Sequence, residues 1–199
     1  MMPKSRIQCF FLVPTGVDRL FLRRYKSTSS DDDKCSVHGY HNVNKFIATE
    51  ERTEESCSGD IHPHNDERWP THCGCGYEFT DDDKWQLFRE EIYRRQDTGE
   101  EMIRSDAPVG AMWDAIWYGR KGPDGRSLMV RTPGGDWFID DRASNCTMRD
   151  DNEHRCWVRH GEVPNITVGK NGHTCRAGAG SIAQKTYHGF LRNGYLEEC

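Results

Sequence analysis

The sequence predicts a strand-rich, irregular α+β fold with one clear amphipathic helix, stapled by Cys/His (zinc-ribbon-like) clusters. Three features point there. Short apolar runs alternate with Gly-, Pro-, Asn- and Asp-rich turn signals along most of the chain. One stretch, 81–95, combines an acidic start with apolar residues at helical spacing. Of nine Cys and nine His among 199 residues, seven Cys and eight His crowd into two regions.

Taken in order, Arg6 to Val13 and Leu20 to Tyr25 are apolar runs split by Pro14-Thr15-Gly16-Val17-Asp18, which reads as a hairpin. Ser27 to Lys34 is a polar, acidic loop. From Cys35 to Cys75 there is little periodic pattern apart from a strand-like Val43 to Thr49, so this stretch needs a staple to be ordered. The expected helix then spans 81–95. Thr80 or Asp81 caps it, Asp81-Asp82-Asp83 suits the positive end of its dipole, Trp85, Phe88 and Ile92 share a face, and Arg94-Arg95 suit its end. Residues around Thr98-Gly99 suggest a strand between Gln96 and Arg104. A turn at Asp106-Ala107-Pro108 leads into a short apolar helix on which Trp113, Ile116 and Trp117 align.

Ser127 to Arg131 and Asp136 to Asp140 read as strands joined at Pro133-Gly134-Gly135. The last third alternates short strands with turns: Cys156 to His160, Ile166 to Val168, a Gly/Ala segment from Arg176 to Ser181, then Tyr187 to Leu191 and Tyr195-Leu196. This divides the chain into an N-terminal part, 1–104, and a C-terminal part, 105–199, either as two units or as one continuous domain.

Apolar residues make up 35% of the chain and charged residues 30%, a thin core supply for this length, partly offset by six Trp and 11% aromatic residues. The net charge of −5 exerts no general pull on nucleic acid. Arg23, Arg24 and Lys26, and also Arg155 and Arg159, read as solvated basic faces. No run approaches the roughly 18 apolar residues of a membrane span. The start, Met1 to Pro14, has an apolar run too short and interrupted for a signal peptide and is read as a strand. The expectation is a soluble chain made in a cytoplasm. Asn145-Cys146-Thr147 and Asn165-Ile166-Thr167 match the glycosylation pattern, which has no meaning without secretion.

The Cys/His regions carry the chemistry. His72-Cys73-Gly74-Cys75-Gly76-Tyr77 resembles one knuckle of a zinc ribbon, in which glycines let backbone N–H groups turn toward thiolates. Here the pair is C-x-C rather than C-x2-C. The proposed set is Cys35, His41, Cys73 and Cys75, with Cys57, His38, His62 and His64 as other donors in reach; a disulfide or free thiols remain open. The second set is Cys146, Cys156, His160 and Cys175, built on Cys156-x3-His160, with His154 or His173 as substitutes for His160. A Cys146–Cys156 disulfide, with Cys175 buried as a small hydrophobe, is its alternative. Four protein ligands close a site, so a zinc ion in either would be structural.

Enzymatic signatures are missing. There is no H-E-x-x-H, no H-x-E with P-C-x-x-C, no G-x-x-x-x-G-K-[ST] and no G-x-S-x-G. Gly178-Ala179-Gly180-Ser181 reads as a turn before it reads as an anion cradle. Asp136, Asp140 and Asp141 read as polar strand ends. Cys9 is expected to be buried on a strand, and Cys199, the last residue, to be exposed with no role or with an intermolecular disulfide.

Trp69-Pro70-Thr71-His72-Cys73-Gly74-Cys75-Gly76-Tyr77-Glu78-Phe79, Thr132-Pro133-Gly134-Gly135-Asp136-Trp137, Asn145-Cys146-Thr147 and Cys156-Trp157-Val158-Arg159-His160-Gly161 resemble segments of uncharacterised tailed-bacteriophage proteins. The similarity runs from about Arg6 to Leu196 and carries no activity with it. It implies a phage gene product, in host cytoplasm or virion. The function expected is therefore a non-enzymatic structural or accessory protein: a virion decoration or assembly component with a zinc-stapled fold. Its partners would be other virion or host proteins, or copies of itself. A cytoplasmic zinc-ribbon module binding host protein or nucleic acid, and a disulfide-cross-linked virion protein, are the alternatives.

Overall fold

The computed structural model describes residues 6–26, 35, 41–48, 67–143, 145–170, 175, 181–184 and 187–199. Among these the chain is nearly all strand, 51% strand against 2% helical, with no helix of seven residues or more. The expected α+β class and its amphipathic helix are therefore corrected to a β-rich fold. The one helical element among the described residues is a 3-10 turn at Arg104–Asp106.

Thirteen strands occur among the described residues: β1 (Arg6–Gln8), β2 (Phe10–Tyr25), β3 (Asn42–Ala48), β4 (Lys84–Arg95), β5 (Glu101–Ile103), β6 (Ala111–Asp114), β7 (Leu128–Thr132), β8 (Gly135–Phe138), β9 (Trp157–His160), β10 (Thr167–Lys170), β11 (Ile182–Gln184), β12 (Tyr187–Arg192) and β13 (Tyr195–Glu198). They belong to two compact units. The first comprises Met1–Val13, Tyr93–Glu101 and Ala107–Cys199; the second comprises Pro14–Ile92 and Met102–Asp106.

The first unit holds a four-stranded antiparallel sheet in the order β1-β13-β12-β11 and a β9–β10 pair. Phe10 and Phe11 of β2 run parallel to Ala111 and Met112 of β6. Strand β6 pairs with β7, and β7 with β8, both antiparallel. The hairpin expected at Pro133-Gly134-Gly135 is present, with Thr132 facing Gly135. Alternation along these strands sends Phe11, Met112, Leu128, Val130, Ile166, Val168, Ile182, Leu191 and Leu196 into one core, which also takes Cys9, Ile139 and Tyr187. Cys9 lies between β1 and β2, and its burial pushes the thiol up to about 12.

In the second unit β2 pairs antiparallel with β3, Tyr25 facing Asn42 and Phe21 facing Phe46. The expected Pro14–Asp18 hairpin is absent, because β2 runs through that segment without reversing. Gly16 takes φ +74°, a conformation that suits glycine. The segment's polar groups are satisfied by β4. Thr15 Oγ1 donates to the Ile92 carbonyl at 2.7 Å, and the Gly16 N–H donates to Glu91 Oε1 at 2.9 Å. A turn there would leave those groups to water, whereas the strand pairs them.

The predicted helix 81–95 is strand β4. Apolar positions 85, 88 and 92 fit a helical face, yet they also split between the two faces of a strand, and both faces find partners here. Leu87 packs with Leu20, Leu22, Ile47 and Trp69, while Phe88 and Ile92 pack with Phe21 and Ile103. Trp85 sets its ring edge-on to Trp69, 5.5 Å between centroids. Alternate residues of β2 thus supply an apolar surface to each side of β4, and tertiary packing overrides the local periodicity. The acidic run closes a turn in place of a helix start: Asp83 Oδ2 accepts from the Thr80 N–H at 2.8 Å, and the Asp83 N–H donates to the Thr80 carbonyl. The second expected helix is also replaced. Trp113 is buried on β6, whereas Ile116 and Trp117 stand exposed in the turn that follows.

One arginine of each supposed basic face is interior. Arg24 is 3% exposed, lies over the Trp69 and Phe79 rings, and donates to the Pro70 and Thr80 carbonyls. Arg159 is 8% exposed and pairs with Asp140 at 2.8 Å and with Asp124. No helix among the described residues is long and apolar enough to cross a membrane.

Candidate metal centres

Cys73 and Cys75 sit at the tip of a tight hairpin. His72 and Glu78 form an antiparallel bridge, the Cys73 N–H donates to the Tyr77 carbonyl at 2.8 Å, and the Gly76 N–H donates to the Cys73 carbonyl at 2.9 Å. Gly76, at φ +95°, makes the reversal that a side chain would strain. His41 arrives just ahead of β3, where its carbonyl accepts from the Lys26 N–H at 3.0 Å. Its ring stacks on Tyr77, 4.2 Å between centroids, and the Tyr77 hydroxyl is fixed by Asp83.

The result is a four-donor group of Cys35, His41, Cys73 and Cys75, whose ligand atoms lie within 4.8 Å of one another. Cys35 Sγ is 3.6 Å from Cys73 Sγ, and Cys75 Sγ is 3.2 Å from His41 Nδ1. Metal–sulfur bonds of about 2.3 Å at tetrahedral angles put neighbouring sulfurs about 3.8 Å apart, whereas a disulfide needs about 2.05 Å. The first spacing is the one found, and Cys35, Cys73 and Cys75 form no disulfide. The N–H of Tyr77, with help from Cys35, Cys73 and His41, outweighs burial and brings the Cys75 thiol down to about 7, which favours the ligating thiolate.

The second group consists of Cys146, His154, Cys156 and Cys175, again within 4.8 Å of one another. Cys156 Sγ lies 3.6 Å from His154 Nε2 and 3.8 Å from Cys175 Sγ. Asp151 shapes the approach, its Oδ1 accepting from the Glu153 and His154 N–H groups at 2.9 and 3.1 Å. Arg142 ties the loop by donating to the carbonyls of Arg149, Asp151 and His154. Burial opposes ionisation of Cys146, but the Met148 N–H, Cys156, Cys175 and Arg142 hold its thiol below the usual range. Burial pushes Cys156 up to about 12 in the metal-free group. A cation bound there would release its proton.

Cys35, His41, Cys73 and Cys75 are all brought together, as are Cys146, Cys156 and Cys175. His160 is not. It is exposed at the end of β9, and the fourth donor is His154. A C-x3-H spacing joins two ligands across one helical turn, but four residues of strand span about 13 Å. The signal that points to His154 is the repeated spacing: His154-x-Cys156 matches Cys73-x-Cys75.

Cys57, His38, His62, His64, His173 and Gly178-Ala179-Gly180 lie outside the described residues. His72 is exposed and bonds Thr71. Asp136 is held by Arg131, Asp140 by Arg159, and Asp141 by Arg120. Cys199 is exposed, its N–H bonded to the His188 carbonyl.

Each group thus offers three thiols and one imidazole, and the two units hold one group each. Both are geometrically able to hold a metal ion. Compared with protein-family models, curated proteins and solved structures, the chain matches none.

Proposed function

We propose that this chain is a non-enzymatic structural or accessory protein of a tailed bacteriophage, a virion decoration or assembly component whose two units are each stapled by a zinc ion. The observation that carries the reading is the pair of Cys3His groups, in which protein atoms supply all four positions of a tetrahedral site. Three thiolates and an imidazole suit zinc among the common ions, and a closed shell leaves no position for water or substrate. The role of such ions is to fold a chain whose apolar supply is thin.

Support for the phage assignment comes from the resembling segments, one of which falls at the first hairpin and two at the second group. A protein partner is favoured by large apolar side chains left in solvent, Ile116 at 69% and Trp117 at 54%. The net charge of −5 weighs against nucleic acid.

Metal content per chain and a free-thiol count test the staple: two zinc ions are expected. Mass spectrometry of purified particles from a phage encoding the chain tests the role. Stoichiometric presence in the particle supports it, and consistent absence overturns it in favour of a cytoplasmic module.

A further inference from the structure

We infer that Cys75 is the oxidant-sensitive ligand of the first group, a modification site at which a peroxide opens the metal centre. This rests on the reading that the group holds a metal. The observation is an asymmetry among the donors. Cys35, His41 and Cys73 are 4%, 6% and 3% exposed, whereas Cys75 is half-buried.

Its setting explains the difference. Cys75 stands between Gly74 and Gly76 at the hairpin tip, both exposed, and a methyl group built on either would meet nothing within 4 Å. A small reagent therefore reaches this sulfur over bare backbone, whereas Cys35 and Cys73 are buried with Phe79 in an apolar cluster against which Cys75 and Tyr77 pack. A second thiol is in reach, since all donor atoms of the group lie within 4.8 Å of one another.

The chemistry closes with hydrogen peroxide as the two-electron oxidant. The Cys75 thiolate attacks one peroxide oxygen, the S–O bond forms, the O–O bond breaks, and hydroxide leaves. The resulting sulfenic acid is attacked at sulfur by the Cys35 or Cys73 thiolate; an S–S bond forms and a second hydroxide leaves. Two thiolates have lost two electrons and the peroxide has gained them. An ion held by the group would be left with two donors and would dissociate.

The test uses the full-length, metal-loaded chain. Metal content is measured first. Substoichiometric hydrogen peroxide is then added, released metal is followed with a chromogenic chelator, and thiols are mapped residue by residue by differential alkylation. N-ethylmaleimide labelling of untreated protein is run alongside. Within this group Cys75 should react at least about tenfold faster than Cys35 or Cys73, because buried thiols lack access. Metal should be lost in step with Cys75, and exposed Cys199 marks the rate of a thiol outside the groups. A chain that binds no metal overturns the metal reading and this inference with it. A loaded chain that forms a Cys35–Cys73 disulfide while Cys75 stays reduced, or in which the three thiols label at equal rates, overturns this inference alone.

Discussion

Cys35 Sγ and Cys73 Sγ lie 3.6 Å apart although 38 positions separate them in sequence. A cross-link of that reach closes a long loop, and the clips that close long loops restrict the unfolded chain most. Chelation should therefore remove two metal ions per chain and lower the thermal midpoint. Because each unit has its own group, Cys73→Ser and Cys156→Ser should each lose one ion and keep the other. Metal analysis of the two variants beside the parent decides this, and loss of both ions from either single variant would contradict independent sites.

His154, not His160, is the fourth donor of the second group, so the two substitutions should part company. His154→Ala should cost one bound ion and destabilise the first unit. His160→Ala, at an exposed position on β9, should bind two ions and shift stability by no more than about 0.5 kcal/mol. The reverse pattern, in metal content and urea midpoint, would restore the C-x3-H reading.

Arg159 and Asp140 form a buried ion pair, 4% and 6% exposed at their side chains, and Asp140 also accepts from the Leu128 N–H. Arg159→Met leaves a carboxylate uncompensated in the interior and should cost about 3–5 kcal/mol. Asp124, the other partner of Arg159, is 39% exposed, so Asp124→Asn should cost far less. Equal losses in chemical denaturation would show that burial does not separate the two.

Alkaline pH should loosen the core of the first unit. Burial raises Cys9 from 9.0 to about 12 and Tyr187 from 10.0 to about 12. Both groups are neutral when protonated, so folding favours the protonated form. Their contribution is complete below about pH 9 and is lost as pH rises toward 12. A phenolate absorbance step near pH 12 that coincides with loss of tertiary signal is the expected result; a Tyr187 that titrates at its ordinary value would refute it.

Gly76→Ala should disturb the first hairpin. At φ +95° any side chain is strained, by about 1–2 kcal/mol. Gly74→Ala, with open space and no such φ, should be tolerated. Comparing the metal dissociation rates of the two variants separates backbone strain from simple crowding.

The sequence by itself determined seven of the eight grouped donors and the reversals at the C-x-C tip and at Pro133-Gly134-Gly135. C-x-C between glycines places two thiols on one turn whatever surrounds it, and Pro133-Gly134-Gly135 between apolar runs makes a hairpin from local chemistry alone. The strand at Val43 was legible for the same reason. Tertiary structure decided the rest, wherever a local pattern had two solutions. Apolar positions 85, 88 and 92 fit a helix until alternate residues of β2 offered both faces of a strand something to bury. Pro14 to Asp18 signalled a turn until β4 supplied partners for Thr15 and Gly16. Arg24 and Arg159 looked solvated until carbonyls and carboxylates distant in sequence met their guanidinium groups. The replacement of His160 by His154 follows from a similar cause: the distance spanned by four residues depends on whether they form helix or strand, and the antiparallel pairing of β9 with β10 settled that.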